Sequence, residues 1–230
     1  MTHFIASIRM PGLTAVLLLG LVACARTASD DGEGARTSSD GIELNLVGNR
    51  FAPLDYSALD DEQRAMVQNI LSGPRTGVRG PFNTLLRSPV LGDRAQALGA
   101  YIRYDSVLPA TLREMAIIMT AAHWRAEYEW YAHKRDALAA GLDPAIVDAI
   151  GQHRRPARMQ ADEAALYDFC NELLSTQRVG DGTFSATVDA FGEQGVVDII
   201  GTLGYYTLVS LILNVDEHPV PDGTPLQFER

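Results

Sequence analysis

The sequence predicts an all-α protein with a single helical domain of about eight helices. Nearly every long segment of residues 48–230 repeats its apolar residues at helical spacing, whereas the alternating patterns of strands are scarce. A segment of this length suits one domain with a substantial interior.

Capping residues and prolines predict where the first helices begin. The segment SALDDEQRAMVQNIL predicts a helix over residues 58–71, with its serine as N-cap and acidic residues in its first turn. Pro89 suits the first position of a second helix. Pro109 begins a segment that is too long for one ordinary helix and ends at Gly141. We therefore expect a break near residues 123–126 and an antiparallel helix pair.

The remaining helices are predicted by DPAIVDAI, QADEAALYDFCNELLSTQ, GTFSATVDAF and EQGVVDIIGTLGYYTLVSLILNV. Cys170 lies beside the apolar face of the second of these segments and is expected to be a buried, unreactive side chain. The last segment is apolar nearly all the way round from Val196 to Val215. A helix without a polar face is either central or covered by another subunit, and we expect a homo-oligomer.

Residues 1–23 have the layout of a secretory signal, with a basic residue followed by the apolar run LTAVLLLGLVA. The run ends in LVAC, which resembles the lipobox of bacterial lipoproteins and predicts lipidation of Cys24. The alternative is an ordinary cleaved signal followed by a chance cysteine. Residues 24–47 are mostly small and polar, and they are expected to form a flexible tether to the domain at 48–230.

This arrangement predicts a protein of the bacterial cell envelope that is held on the periplasmic face by a lipid anchor alone. Ala25 follows the lipidated position in place of the aspartate that favours inner-membrane retention, which favours the outer membrane. The formal net charge of −10 argues against nucleic acid and anionic lipid as partners. With Cys24 assigned to the lipid, Cys170 has no partner for an intramolecular disulfide.

The stretch AEYEWYAH concentrates the residues with chemical potential. Glu129 and His133 are four residues apart and share one helical stripe. A carboxylate in that position can fix the imidazole tautomer and raise its basicity, as a general acid or base requires. Glu114 on the preceding helix could reach the same pocket, and Trp124, Tyr128, Trp130 and Tyr131 could exclude water or stack on a planar substrate. The alternative interpretation is an ion pair on a solvated helix face.

Metal binding is not predicted. Donor atoms around this stretch belong to His123, Glu127, Glu129 and His133. Their spacing fits no zinc motif, and the sequence has neither HExxH nor CxxC. His153 and His218 lie in polar, turn-like sequence and are expected at the surface.

Three long segments carry a family resemblance that covers most of residues 50–215. They are GPFNTLLRSPVLGDRAQALGAYIRY, LPATLREMAIIMTAAHWRAEYEWYAHKRDALAAGLDPAIVDAI, and DEAALYDFCNELLSTQRVGDGTFSATVDAFGEQGVVDIIGTLGYYTLVSLILN. Together they resemble the carboxymuconolactone decarboxylase and alkylhydroperoxidase D-like superfamily. The resemblance implies the all-helical fold of that superfamily.

The peroxidase-type members of this superfamily use a glutamate, a CxxC pair and a histidine. The resemblance puts the glutamate at Glu114 and the histidine at His133, while Ala126 and Glu129 stand where the cysteines would be. A dithiol peroxidase needs one thiolate to attack the peroxide and a second to resolve the product. Peroxidase activity of the CxxC type is therefore not expected.

The decarboxylase-type members also lack the cysteine pair. The resemblance implies a cofactor-independent acid/base enzyme, of decarboxylase or isomerase type, acting on a small carboxylate or lactone. His133 would donate the proton, Glu129 or Glu114 would orient it, and Arg113 or Arg125 would anchor the substrate carboxylate, unless these arginines are ordinary surface charges. The alternatives are a non-catalytic binding or scaffold protein at the membrane surface, and a peroxidase-related redox protein without its own CxxC.

Overall fold

The structure is a computed structural model that describes residues 36–37 and 42–228. The signal segment, Cys24 and much of the tether lie outside the described residues. In the described part the α-helices are α1 Asp61–Ser72, α2 Phe82–Leu85, α3 Pro89–Ala100, α4 Ala110–His123, α5 Glu127–Ala139, α6 Pro144–Gly151, α7 Ala161–Thr176 and α8 Asp181–Asp216. Two short strands, β1 Arg36–Thr37 and β2 Glu43–Leu44, pair antiparallel. The all-α, single-domain prediction is confirmed.

Helix α1 begins later than the sequence predicted. Ser57 lies in a 3-10 turn, Tyr56–Ala58, and the N-cap of α1 is Asp60. The Asp60 side chain accepts a hydrogen bond from the Gln63 backbone N–H at 2.8 Å, and the Gln63 side chain accepts one from the Asp60 N–H at 3.0 Å. This reciprocal capping box satisfies two backbone donors at once, so the helix starts there.

The expected break between α4 and α5 is confirmed. Arg125 adopts a left-handed conformation with φ of 52°. The Arg125 N–H donates to the Ala122 carbonyl and the Ala126 N–H to the Ala121 carbonyl, which is the double hydrogen bond of a Schellman motif. The chain reverses there, and α5 packs back along α4.

Helix α8 joins two segments that the sequence predicted separately. Gly192 has φ of 69° and ψ of 172° and kinks the helix between them. In the described part of the chain, α8 alone is long and apolar enough to cross a membrane. However, 56% of the most apolar stretch of α8 is buried inside the fold, where α8 packs against α4 and α7. These contacts are those of the central helix of a packed domain.

The interior consists of two hydrophobic clusters that share α4 and α8. The first lies among α4 to α8 and includes Ile118, Trp130, Leu166, Phe169 and Ile199. The second lies among α1 to α4 and α8 and includes Met66, Ile70, Leu86, Ile117 and Tyr206. Leu44 and Leu46 are buried in the second cluster. Leu44 and Leu46 were predicted to belong to the tether, but they pack into the domain.

Two irregular segments, one before α1 and one at the C-terminal end of the described chain, are fixed to the helical domain. The buried Asp216 carboxylate accepts hydrogen bonds from the backbone N–H groups of Asn49 at 3.2 Å and Phe51 at 2.8 Å. The Glu127 carboxylate accepts from the N–H of Gln227 at 3.0 Å and of Phe228 at 2.6 Å. Each carboxylate thus ties an irregular segment to the end of a helix through charge-assisted hydrogen bonds.

Candidate active site

His133 lies at the centre of the candidate site, between two buried carboxylates. Its Nδ1 is 2.6 Å from Glu114 Oε2, and its Nε2 is 3.1 Å from Glu129 Oε1. Glu129 is one helical turn before His133 on α5, whereas Glu114 comes from α4 because the two helices are antiparallel. The three side chains are 5–7% exposed. The structure therefore brings together all three of the predicted catalytic residues.

The two carboxylates hold a proton on His133. Burial alone would lower the pKa of His133, but the charge of Glu129 and the hydrogen bonds to Glu114 and Glu129 raise it to about 9. The edge of the imidazole meets the buried ring of Tyr206, with centroids 5.0 Å apart. The result is an imidazolium at neutral pH whose Nδ1 faces Glu114 and whose Nε2 faces Glu129.

Further cations support Glu114. Burial would raise the pKa of this carboxyl, but the hydrogen bond and charge of His133, with the charges of Arg103 and Arg113, hold it below its usual range. The Arg103 guanidinium also lies 3.3 Å from Asp136 Oδ2 on α5. Glu114 therefore stays ionised behind the imidazole, which suits an orienting group.

A cavity of about 180 Å³ opens beside this cluster. His133 and Glu129 line it, whereas Glu114 does not, so Glu129 rather than Glu114 can meet a ligand. Its walls are largely cationic and aromatic: Arg75, Arg79, Arg103, Phe82, Tyr104, Tyr128, Tyr205 and Tyr206. Such a cavity favours a small anion with a planar, apolar part.

Of the residues predicted to contact a substrate, Tyr128 lines this cavity, whereas Arg113, Trp124, Arg125, Trp130 and Tyr131 do not. Arg113 is half-buried on α4, where its Nη1 lies 3.5 Å from the Leu108 carbonyl. Arg125 is exposed in the α4–α5 turn and lines a different cavity. Trp130 points into the first hydrophobic cluster, with its ring 5.4 Å from that of Phe228. Tyr131 is not among the lining residues, and its ring lies 6.4 Å from that of Tyr128.

The cavity arginines were missed because their positions depend on irregular segments. Arg75 and Arg79 belong to the loop between α1 and α2. Arg103 belongs to a π-helical turn, Tyr101–Asp105, that follows α3. The loop sequence GPRTGVRG, with arginines between turn-forming glycines, was the one signal available.

One group of described residues has the donor types of a metal site: Glu114, His133 and Asp136, whose donor atoms lie within 4.8 Å of one another. A metal would require a neutral imidazole nitrogen. Both ring nitrogens of His133 are instead engaged by carboxylates, and Asp136 is paired with Arg103. This donor set fits an ion-pair network better than a metal.

Two other expectations have clear outcomes. Cys170 is fully buried in the first cluster, and burial raises the pKa of its thiol far above the usual range, as expected for an unreactive side chain. The expectation that His218 lies at the surface is wrong. It is 6% exposed, and its ring packs 4.3 Å from the centroid of Tyr128, beside Asp216. His218 follows directly after the C-cap of α8, and these contacts bury its ring.

The fold and the site define an all-helical domain with a buried carboxylate–imidazolium–carboxylate cluster. The sequence model of the carboxymuconolactone decarboxylase family matches residues 89–169, which include all three members of this cluster. This match bears out, over those residues, the resemblance that the sequence predicted.

The fold also matches a solved structure. The chain is similar to a crystal structure of a protein of unknown function from Agrobacterium tumefaciens, described as a putative antioxidant defence protein AhpD. The TM-score is 0.53 at 16% sequence identity, and the match covers 60% of this chain and 97% of that chain. At this identity the likeness establishes the fold alone. No match is found among curated proteins.

Proposed function

We propose that the protein is a cofactor-independent acid/base enzyme, of decarboxylase or isomerase type, that acts on a small carboxylate or lactone. The observation that supports this proposal is the position of His133. Its imidazolium is held between two carboxylates at the wall of a cavity that also contains three arginines. A proton donor beside cations is the combination that such a reaction requires.

The proposed chemistry assigns a separate task to each side chain. In a decarboxylation, the bond from carbon to the leaving carboxylate breaks, CO2 departs, and the electron pair moves into the conjugated carbonyl as an enolate. The Nε2 proton of His133 is then transferred to carbon, directly or through Glu129, and water restores it. Glu114 holds the imidazole in one orientation through Nδ1. The cavity arginines stabilise the anionic oxygens.

The test is a screen of small lactones and keto acids for turnover by the full chain. For any substrate found, His133→Ala should lower kcat by about 100-fold or more. His123→Ala is the matched control, because His123 is exposed and does not line this cavity. Undiminished turnover by His133→Ala, in protein that retains its circular dichroism spectrum, would refute the assignment.

A non-catalytic binding role is the second candidate, and one observation favours it. Both ring nitrogens of His133 are already engaged, so the imidazolium can act as an internal brace that never exchanges its proton with a ligand. In that case the wild type turns over no substrate, and His133→Gln lowers stability only. An enzyme instead predicts turnover by the wild type that the same substitution abolishes, and both readings predict that ligand binding survives.

We propose that the chain is tethered to the periplasmic face of the bacterial cell envelope through a lipid on Cys24, with the outer membrane favoured. The support is the LVAC sequence after the apolar run. Cys24→Ser should release the protein from the membrane fraction, as immunoblots of fractionated cells would detect. Full membrane attachment of this variant would contradict the proposal.

We also propose a homo-oligomer. Val197, Ile200, Leu211 and Val215 are 41–65% exposed and follow one face of α8 at helical spacing. Ile200→Glu should reduce the mass measured by light scattering to that of a smaller assembly, whereas a wild-type monomer would contradict the proposal.

A further inference from the structure

The turn that carries Arg103 departs from α-helical geometry. In the π-helical turn Tyr101–Asp105, the N–H of Ser106 donates to the Tyr101 carbonyl at 2.9 Å, five residues back. Such a turn widens the helix and re-aims the side chains that follow, and it occurs frequently at functional sites. The departure therefore raises the question of what the turn positions.

Asp198 of α8 anchors the turn from one side. This buried carboxylate accepts hydrogen bonds from the Tyr101 hydroxyl at 3.1 Å, the Ser106 hydroxyl at 2.9 Å and the Val107 N–H at 3.0 Å. Arg103 points elsewhere, into the wall of the cavity that His133 and Glu129 line. The turn is thus fixed to α8 while its arginine is directed to the candidate site.

Within the described part of the chain, one hydrogen bond engages the Arg103 guanidinium, to Asp136 Oδ2 at 3.3 Å. Both side chains are about one-third exposed, at 29% and 33%. The guanidinium carbon also lies 5.7 Å from the centroid of the Tyr104 ring, and a part-exposed ion pair of this kind contributes little to stability. It also leaves N–H donors of the guanidinium fork available for a carboxylate. A purely structural ion pair therefore does not account for this placement.

The other cavity arginines have different hydrogen-bond partners. Arg75 lies over the ring of Phe82, 5.1 Å from its centroid, and donates to the Gln96 carbonyl. Arg79 is exposed and donates to the Thr76 hydroxyl at 2.9 Å. Of the three cavity arginines, Arg103 is the one whose charge acts on Glu114.

The charges around His133 also indicate that an anionic ligand would need direct contact with a cation. Glu114, Glu129 and Asp136 carry three negative charges, and His133, Arg103 and Arg113 supply three positive ones that already act on them. An anionic ligand beside Glu129 would be repelled unless a cation contacted it directly. Arg103 lines the cavity and has the geometry for that contact.

We propose that Arg103 binds the carboxylate of the ligand through a two-pronged hydrogen bond and holds it next to His133. This inference rests on the proposed function only in calling that ligand the substrate, because binding of the carboxylate does not require turnover. The π-helical turn is the element that delivers the guanidinium, and Arg103 is thereby assigned as a substrate-binding residue.

The experiment titrates the full chain with benzoate, a small planar carboxylate, and follows the His133 ring signal by NMR. Wild-type protein should give a saturable shift. Arg103→Lys keeps the charge but loses the fork and should weaken binding by about 10-fold, and Arg103→Ala by about 100-fold. Arg94→Ala is the matched control, because Arg94 is an exposed arginine on α3 outside the cavity, and its affinity should be unchanged.

Wild-type affinity in Arg103→Ala, or no saturable shift in the wild type, would overturn the inference. If Arg103→Ala does not fold, as judged by circular dichroism, Arg103→Lys decides the outcome. A wild type that binds benzoate through Arg103 but turns over no substrate would reject the enzyme and keep the binding residue. Turnover with an unchanged KM in Arg103→Ala would reject the binding residue and keep the enzyme.

Discussion

The protonated state of His133 makes stability depend on pH in a defined direction. The pKa of this side chain rises from an ordinary 6.5 to about 9 in the folded protein. The proton is therefore bound more tightly by the folded chain than by the unfolded one. The resulting stabilisation is complete below about pH 6.5, declines as the pH rises toward 9, and is lost above it.

The size of the effect follows from the two pKa values. Each pH unit between them corresponds to about 1.4 kcal/mol, so the total is on the order of 3 kcal/mol. The assay is urea unfolding of the wild type and of His133→Gln, followed by circular dichroism at intervals from about pH 6.5 to about pH 10. The difference between the two proteins separates His133 from other groups that titrate in this range.

The wild-type free energy of unfolding should fall by about 1.4 kcal/mol per pH unit relative to the variant. Above about pH 9 the two curves should run parallel. Identical pH dependence in both proteins would refute the reasoning, because it would mean that the proton on His133 is held no more tightly after folding.

Three further predictions concern buried or partly buried carboxylates and the buried thiol. Glu114→Gln removes the negative charge beside Nδ1, although its amide oxygen can still accept, and should lower the pKa of His133 by about one to two pH units in an NMR titration; an unchanged value would contradict the assigned contact. Cys170 should react with a thiol reagent at least about 10-fold more slowly in the native protein than in denaturant, and equal rates would contradict its burial. Glu127→Gln should lower Tm by about 2–8 °C and speed carboxypeptidase digestion past residues 227–228, whereas unchanged digestion would mean that this carboxylate does not hold the C-terminal segment.

The acid/base cluster was predictable because its geometry is local. Glu129 and His133 share a helix face at a spacing of four residues. Placing Glu114 beside His133 required one further inference, that the chain reverses at residues 123–126. This reversal was expected because the helical pattern was too long for one helix. Helical periodicity and one turn were therefore sufficient for all three.

The cationic part of the site was not predictable in the same way. Arg113 and Arg125 were predicted to anchor the substrate carboxylate. Arg113 adjoins Glu114 on α4, where adjacent residues point about 100° apart, and Arg125 lies in the turn between α4 and α5. The arginines that line the cavity come from a loop and a π-helical turn. No periodic pattern specifies either element, because both depend on tertiary contacts such as those of Asp198.

The sharing of α4 and α8 between the two hydrophobic clusters has a consequence for how the protein opens. On α4, Ile117 belongs to one cluster and Ile118 to the other, and both are fully buried. Exposing either side chain disturbs a helix on which both halves of the interior depend. The backbone amides of this helix should therefore exchange with solvent only through global unfolding, in a single cooperative step.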